Sequence, residues 1–459
     1  MSLSANDQNM SWRRWSFNAG EDRLGSARGV TVNEMRVAEY LGRPLSGSTM
    51  DLIELVAAIH LSDRGESRPR ARKSGDSWSR RLHLIMGVRD LRRWSDPGIY
   101  DRLLQLLRWL TDDEWLIEFV PRVAPERGAE CVQFLFETPP AGDVVALFSG
   151  GLDSLAGLAA DISRGTTPLA VSVKSNNRLG KSQQDVLSCL NLALGTSIVR
   201  VPVELHLRSG HAAEASQRAR GFGFLALASV VAAVSGLERV HVYENGVGAI
   251  NLPYTAAQTG AQVTRAMRPE TLASATALFS RVLDHPLSIV NTSQYLTKAE
   301  MCAVLPTSLH PAVVLTESCD TAFAHRGSDA HSCGRCTSCL LRRQALAFAG
   351  LSQLDPASTY RFDAVTTSDL ESDALYELRA MLSQAARLER ALGNDTTTAW
   401  TRLVREFPDL IQAVQALSPS AGLRPQLALT GMLQRYAREW AAFPSPLVAH
   451  YLDHRQAAA

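Results

Sequence analysis

The chain has 459 residues, 46% of them hydrophobic and 20% charged, which supports a large buried core and excludes a disordered polyelectrolyte. A formal charge of +1 supplies no bulk attraction to nucleic acid or membrane, so direct nucleic-acid binding is not expected. No signal-peptide core and no unbroken run of about 18 apolar residues is present, which predicts a cytoplasmic protein without a membrane span.

Residues 1–140 read as an N-terminal α+β accessory domain. Strand-like runs occur at Arg81–Val88, Trp115–Val123 and Cys131–Thr138, with helical leucine spacing between them at Ile99–Leu110. The basic stretch Ser62–Arg81 reads as a solvated loop and not as a nucleic-acid contact, since a single basic run is a poor footprint. "PPAGD" (Pro139–Asp143) marks a boundary, after which strands and helices alternate. Strands are predicted at Val144–Phe148, Pro168–Lys174, Ser197–Leu205 and Arg239–Gly246. Helices are predicted after Asp153, at Lys181–Leu194 and at Gln217–Gly236. This alternation implies βαβ units and an α/β fold with a parallel sheet over residues 141–350. Residues 351–459 read as a helical region, with apolar spacing at Asp373–Leu392 and Leu423–Phe443.

Two motifs carry chemistry. The first is "SGGLDS" (Ser149–Ser154), between a strand and a helix. Glycines let the backbone turn tightly, and the N–H groups of a helix start attract an anion. Gly150 and Gly151 would make that turn, and Ser149 and Ser154 add hydroxyl donors. Asp153 brings a negative charge to the same place, which a Mg²⁺ bridge would offset. A Gly-Gly pair alone would be an ordinary helix cap; the six-residue string points to phosphate. The string resembles the S-G-G-x-D-S motif of the PP-loop ATP-pyrophosphatases. The resemblance implies cleavage of ATP between its α- and β-phosphates, chemistry that does not need the lysine of the common P-loop.

The second motif is C-x13-C-G-x-C-x-x-C, formed by Cys319, Cys333, Cys336 and Cys339. Four thiolates with two adjoining C-x-x-C pairs suit a tetrahedral structural Zn²⁺, with a [4Fe–4S] cluster as the competitor. His325 and His331, between the ligands, read as loop residues.

Together the motifs resemble the 7-cyano-7-deazaguanine synthase (QueC) family of queuosine biosynthesis, over roughly residues 143–350. "RARGFGFLALAS" (Arg218–Ser229) and "LTKAEM" (Leu296–Met301) resemble further segments of that family. The resemblance implies a PP-loop core of the adenine nucleotide α-hydrolase-like class, with ATP, Mg²⁺ and Zn²⁺ as cofactors. By it Ser149–Ser154 would bind the ATP phosphates, Leu152 included. Asp153, Lys298 and Arg220 would be catalytic, and Cys319, Cys333, Cys336 and Cys339 would hold the metal. Glu244, Asn245 and Gly246, at a strand end, would meet a deazapurine substrate, and Arg342 and Arg343 would be structural or functional.

The departures lie on the acceptor side. Gly221 replaces an asparagine that follows the family's arginine, and "KSNNRLGKSQQ" and "NLPYTAAQTGAQVTRAMRP" replace family segments. With the flanking regions, these point to QueC-like proteins of anti-phage defence operons, of the Qat type. The expected activity is adenylation of a 7-carboxy-7-deazaguanine-like carboxylate, followed by attack of an amine. The amine could belong to a partner protein from the same operon. Housekeeping nitrile synthesis with ammonia, tRNA thiolation by a PP-loop protein, and an ATP-binding scaffold are the alternatives.

Overall fold

The computed structural model describes residues 12–17, 30–69, 78–134, 140–174, 177–207, 212–255, 258, 263–320, 332–367, 369–393, 397–417 and 424–450. Its strands are β1 (Arg13–Phe17), β2 (Val30–Val32), β3 (Arg81–Val88), β4 (Glu114–Pro121), β5 (Val144–Leu147), β6 (Pro168–Lys174), β7 (Arg200–Leu207), β8 (Arg239–Val242) and β9 (Ser288–Asn291). They form a six-stranded sheet in the order β2-β7-β6-β5-β8-β9 and a three-stranded sheet in the order β1-β3-β4.

In the larger sheet β5 to β9 are parallel, and β2 closes one edge antiparallel to β7. Counted in chain order, the parallel strands lie third, second, first, fourth, fifth across the sheet, which is a Rossmann-like α/β core. Val144, Val145 and Ala146 of β5 are fully buried, as a central strand covered on both faces requires. The chain runs outward from β5 to β7 and returns through the helix Arg220–Ser235 to β8. The direction of winding therefore reverses between β5 and β8, which opens a crevice at their carboxyl ends.

The helix Arg220–Ser235 is apolar all round and buried, as a helix packed on a sheet from one side and other helices from the other must be. No helix among the described residues is long and apolar enough to cross a membrane.

β3 and β4 occupy the first two strand positions predicted in the N-terminal region. The third, Cys131–Thr138, is not a strand in its described part: Gly128–Cys131 is a helical turn, Val132–Phe134 is irregular, and 135–138 lie outside the described residues. The reason is ionic. The Arg127 N–H donates to Glu130, and Glu130 accepts from Arg89, which winds the chain into a turn there. The basic stretch Ser62–Arg81 also departs from a solvated loop. Ser62–Gly65 ends a helix, and the Arg68 and Arg80 side chains are 4% and 3% exposed. They converge on Asp63 and Asp113, and residues 70–77 lie outside the described set.

One apolar core runs from Phe17 to Ile289 and joins the helix Gly47–Gly65 to the central sheet. A second gathers the helices Tyr376–Leu392 and Pro425–Ala441 with Ile250, Leu252, Leu340 and Leu341. The C-terminal helices thus rest on the carboxyl-end side of the central sheet.

Candidate functional site

Ser149–Gly151 connect β5 to the helix Leu152–Ser163, whose first turn holds Leu152, Asp153 and Ser154. Gly150 has φ +79°, a conformation costly for any residue with a Cβ. Gln183 closes over it: a Cβ on Gly150 would lie 3.1 Å from Gln183 Cγ, and Gln183 Nε2 donates to the Ser149 carbonyl at 3.4 Å. The serines tie the loop down. Gly151 N–H donates to Ser149 Oγ at 3.2 Å, and Ser154 Oγ donates to the Gly151 carbonyl at 2.9 Å. The outcome is a compact turn feeding a helix N-terminus, with Ser149 exposed at its tip.

Asp153 is 8% exposed and faces three partners. Lys298 Nζ lies 2.5 Å from Oδ1, Asn245 Nδ2 donates to Oδ2 at 2.8 Å, and Asn245 N–H donates to Oδ2 at 3.3 Å. Burial pushes the Asp153 carboxyl up, but the Lys298 charge and the donors hold it below the usual carboxylate range. Burial likewise pulls the Lys298 ammonium down, and Asp153 and Glu244 raise it above its ordinary value. The expected Mg²⁺ bridge is not needed to balance Asp153, because Lys298 forms an ion pair with Oδ1 and Asn245 donates to Oδ2.

Lys298 opens the helix Lys298–Ala303, with Thr297 as its N-cap and Glu300 completing a capping box. This fixes the direction in which the lysine leaves the backbone. Asn245 caps the short helix Gly246–Ile250: its Oδ1 accepts from Gly248 N–H at 2.9 Å, and its Nδ2 serves Asp153 and Glu244. Its side chain is fully used within the site, so it orients its neighbours and has no free edge for a base. At Gly246 the space that a side chain would take is filled. A Cβ there would lie 2.1 Å from the Gln294 carbonyl and 2.3 Å from Met432 Sδ, so the position is closed by packing.

Glu244 differs. Asn291 holds its backbone at both N–H and carbonyl, and its carboxyl is pushed up to about 8 by burial and by the nearby Asp153 charge. In its protonated form that carboxyl can donate a hydrogen bond. Arg220 opens the helix Arg220–Ser235 with its guanidinium 4.7 Å from the centre of the Phe224 ring. Burial and the Arg64 charge lower its pKa, Asp320 raises it, and no carboxylate among the described residues pairs with it.

Asp320 was not anticipated. It follows Cys319, accepts from Ser338 Oγ at 2.8 Å, and acts electrostatically on Lys298, Glu244, Tyr254 and Arg220 alike. It thus sits beside the cysteine cluster, within electrostatic reach of the crevice. Adjacency to a cysteine in the sequence carries no such signal.

The sulfurs of Cys319, Cys333, Cys336 and Cys339 all lie within 4.8 Å of one another, with Cys333 and Cys339 3.9 Å apart. A tetrahedron with metal–sulfur bonds of about 2.3 Å has edges of about 3.8 Å, so the set could hold a single ion such as zinc. A four-iron cube binds each thiolate to a different iron and needs them farther apart. Backbone donors point at the sulfurs: Cys333 N–H at Cys319 and Cys336 N–H at Cys333, each at 3.3 Å. The following helix is anchored by Arg342, which pairs with Asp355 and donates to Thr316 and Val313, and by Arg343, which pairs with Asp363. Both arginines are structural. His325 and His331 lie outside the described residues, as does part of "NLPYTAAQTGAQVTRAMRP".

No family model and no curated protein matches the chain.

Proposed function

We propose that the chain is an ATP-dependent adenylating enzyme of the 7-cyano-7-deazaguanine synthase-like kind, acting on a 7-carboxy-7-deazaguanine-like substrate. The observation that carries this reading is the Ser149–Ser154 loop at the sheet's switch point, with Lys298 buried against Asp153 beside it. A loop that offers backbone donors and a nearby lysine, but no P-loop lysine, suits retention of departing pyrophosphate.

In the proposed reaction a substrate carboxylate oxygen attacks the α-phosphorus, and the bond to the β-phosphate oxygen breaks. Pyrophosphate leaves into the loop. An amine then attacks the acyl carbon, loses a proton, and expels AMP. The amine is ammonia or an amine on a partner protein, which would fit a role in an anti-phage defence system. Arg220, lacking a carboxylate partner among the described residues, would take a substrate carboxylate or phosphate in bidentate fashion. Glu244 would donate to an acceptor on the base. Mg²⁺ would arrive with ATP as its counter-ion, and zinc would hold the cysteine knuckle in shape.

Thiolation is less well supported. Cys302, on the helix that Lys298 opens, is buried and its thiol is pushed up to about 12, which suppresses the thiolate that such chemistry needs.

The test is incubation of the protein with ATP, Mg²⁺ and 7-carboxy-7-deazaguanine, with chromatography of the nucleotides. AMP and pyrophosphate that depend on the carboxylate are the expected products. ADP and phosphate would overturn the mechanism, and ATP binding without turnover would support the scaffold reading.

A further inference from the structure

The C-terminal helix Pro425–Ala441 has no counterpart in either motif, yet one face of it reaches the crevice. Met432, Arg435 and Glu439 recur at three- and four-residue spacing, so they share that face. Met432 covers Gly246. Arg435 Nη2 donates to the Tyr295 carbonyl at 2.9 Å, and its Nε lies 2.6 Å from Glu300 Oε1. Glu439 is 1% exposed, accepts from Thr297 Oγ1 at 2.5 Å and from Gln344 Nε2 at 3.3 Å.

Thr297 is where these contacts matter. Its hydroxyl accepts from Glu300 N–H at 3.2 Å as the helix N-cap, so its single proton is free to go to Glu439. Glu439 thereby orients the cap of the helix that begins with Lys298. A buried carboxylate is costly, and nothing in the packing of the C-terminal helices alone requires one. We infer that Glu439 is a positioning residue, which holds Lys298 on Asp153 through Thr297 and makes the C-terminal helix part of the site. Lys298 matters for turnover only on the adenylation reading, so the position of the lysine is tested separately from activity.

The experiment is competitive acetylation of the full-length, zinc-loaded protein with acetic anhydride, with the Lys298 peptide quantified by mass spectrometry. Asp153→Asn serves as the control that frees the amine. Glu439→Ala is expected to raise Lys298 labelling several-fold, toward the level of that control. Glu439→Gln is expected to restore slow labelling, because its oxygen can accept from Thr297 while Gln344, whose Oε1 is unpartnered, turns to accept from the new amide. Should Glu439→Ala fail to fold, Thr297→Val removes the same link with little change in volume and is expected to give the same rise. Unchanged labelling in the folded alanine or valine variant, with a rise in Asp153→Asn, overturns the inference. If wild-type protein makes no AMP, the adenylation reading fails and the labelling result still stands.

Discussion

Lys298→Met removes the cation from a pair whose members are 9% and 8% exposed and whose charged atoms are 2.5 Å apart. The Asp153 carboxylate is then held by Asn245 alone and stands beside Glu244. Breaking a buried pair from one side costs about 3–5 kcal/mol. Unfolding entropy is about 2.1 cal/mol/K per residue, so a chain of this length loses roughly 1 °C of melting midpoint per kcal/mol, and a drop of ~3–5 °C is expected. The pH dependence has a definite sign. In the wild type the folded-state pKa of Asp153 lies below its unfolded value. The pair therefore contributes stability above the unfolded pKa and loses it as pH falls through the folded one. In the variant burial acts with less opposition and raises the folded pKa, so destabilisation grows as pH rises through that new value. The raised pKa of Lys298 acts only in the alkaline range above 10.5. The gap between wild type and variant should thus widen as pH rises from below the unfolded Asp153 value of 3.8 toward neutrality. Calorimetric melts of both proteins across that range check it. A gap that does not change with pH, or one below about 1 kcal/mol, would mean that solvent screens the pair and would refute the reasoning.

Three further outcomes follow from the geometry. Purified protein should carry one zinc per chain by elemental analysis, and Cys336→Ser should lose both the metal and several degrees of melting temperature, since metal binding stabilises the fold it needs. Gly246→Ala places a methyl against the Gln294 carbonyl and Met432, and should cost about 1–3 kcal/mol in denaturant unfolding. Arg80→Met leaves Arg68 as the cation within ion-pair distance of Asp63 and Asp113 among the described residues, and should destabilise by about 3–5 kcal/mol in the same assay.

Much of the core was legible because its signals are local. The apolar run at Val144–Leu147, the glycines and serine after it, and the helical spacing that follows place a strand, a turn and a helix within one window. The helix at 220–235 ends where Gly236 takes a left-handed conformation, close to the sequence boundary. The failures share a cause. The expected strand at Cys131–Thr138 does not form in its described part: Cys131 ends a helical turn tied by Glu130 to Arg89, distant in sequence, and Val132–Phe134 are irregular. The basic stretch looked solvated because Asp113, which together with Asp63 buries Arg68 and Arg80, lies outside it in the sequence.

The sequence by itself determined the two motifs, the alternation that makes a parallel sheet, and the cysteine set that could hold a metal. Each depends on residues close in the chain or on composition, where spacing alone implies proximity. Only the tertiary structure decided how charge is shared in the crevice. Lys298 balances Asp153, Asn245 is spent on its neighbours, the Glu244 carboxyl is pushed up, Asp320 acts from beside Cys319, and Glu439 enters from a helix with no motif. Burial and Coulombic effects depend on distances across the fold, and a linear order of residues does not encode those directly.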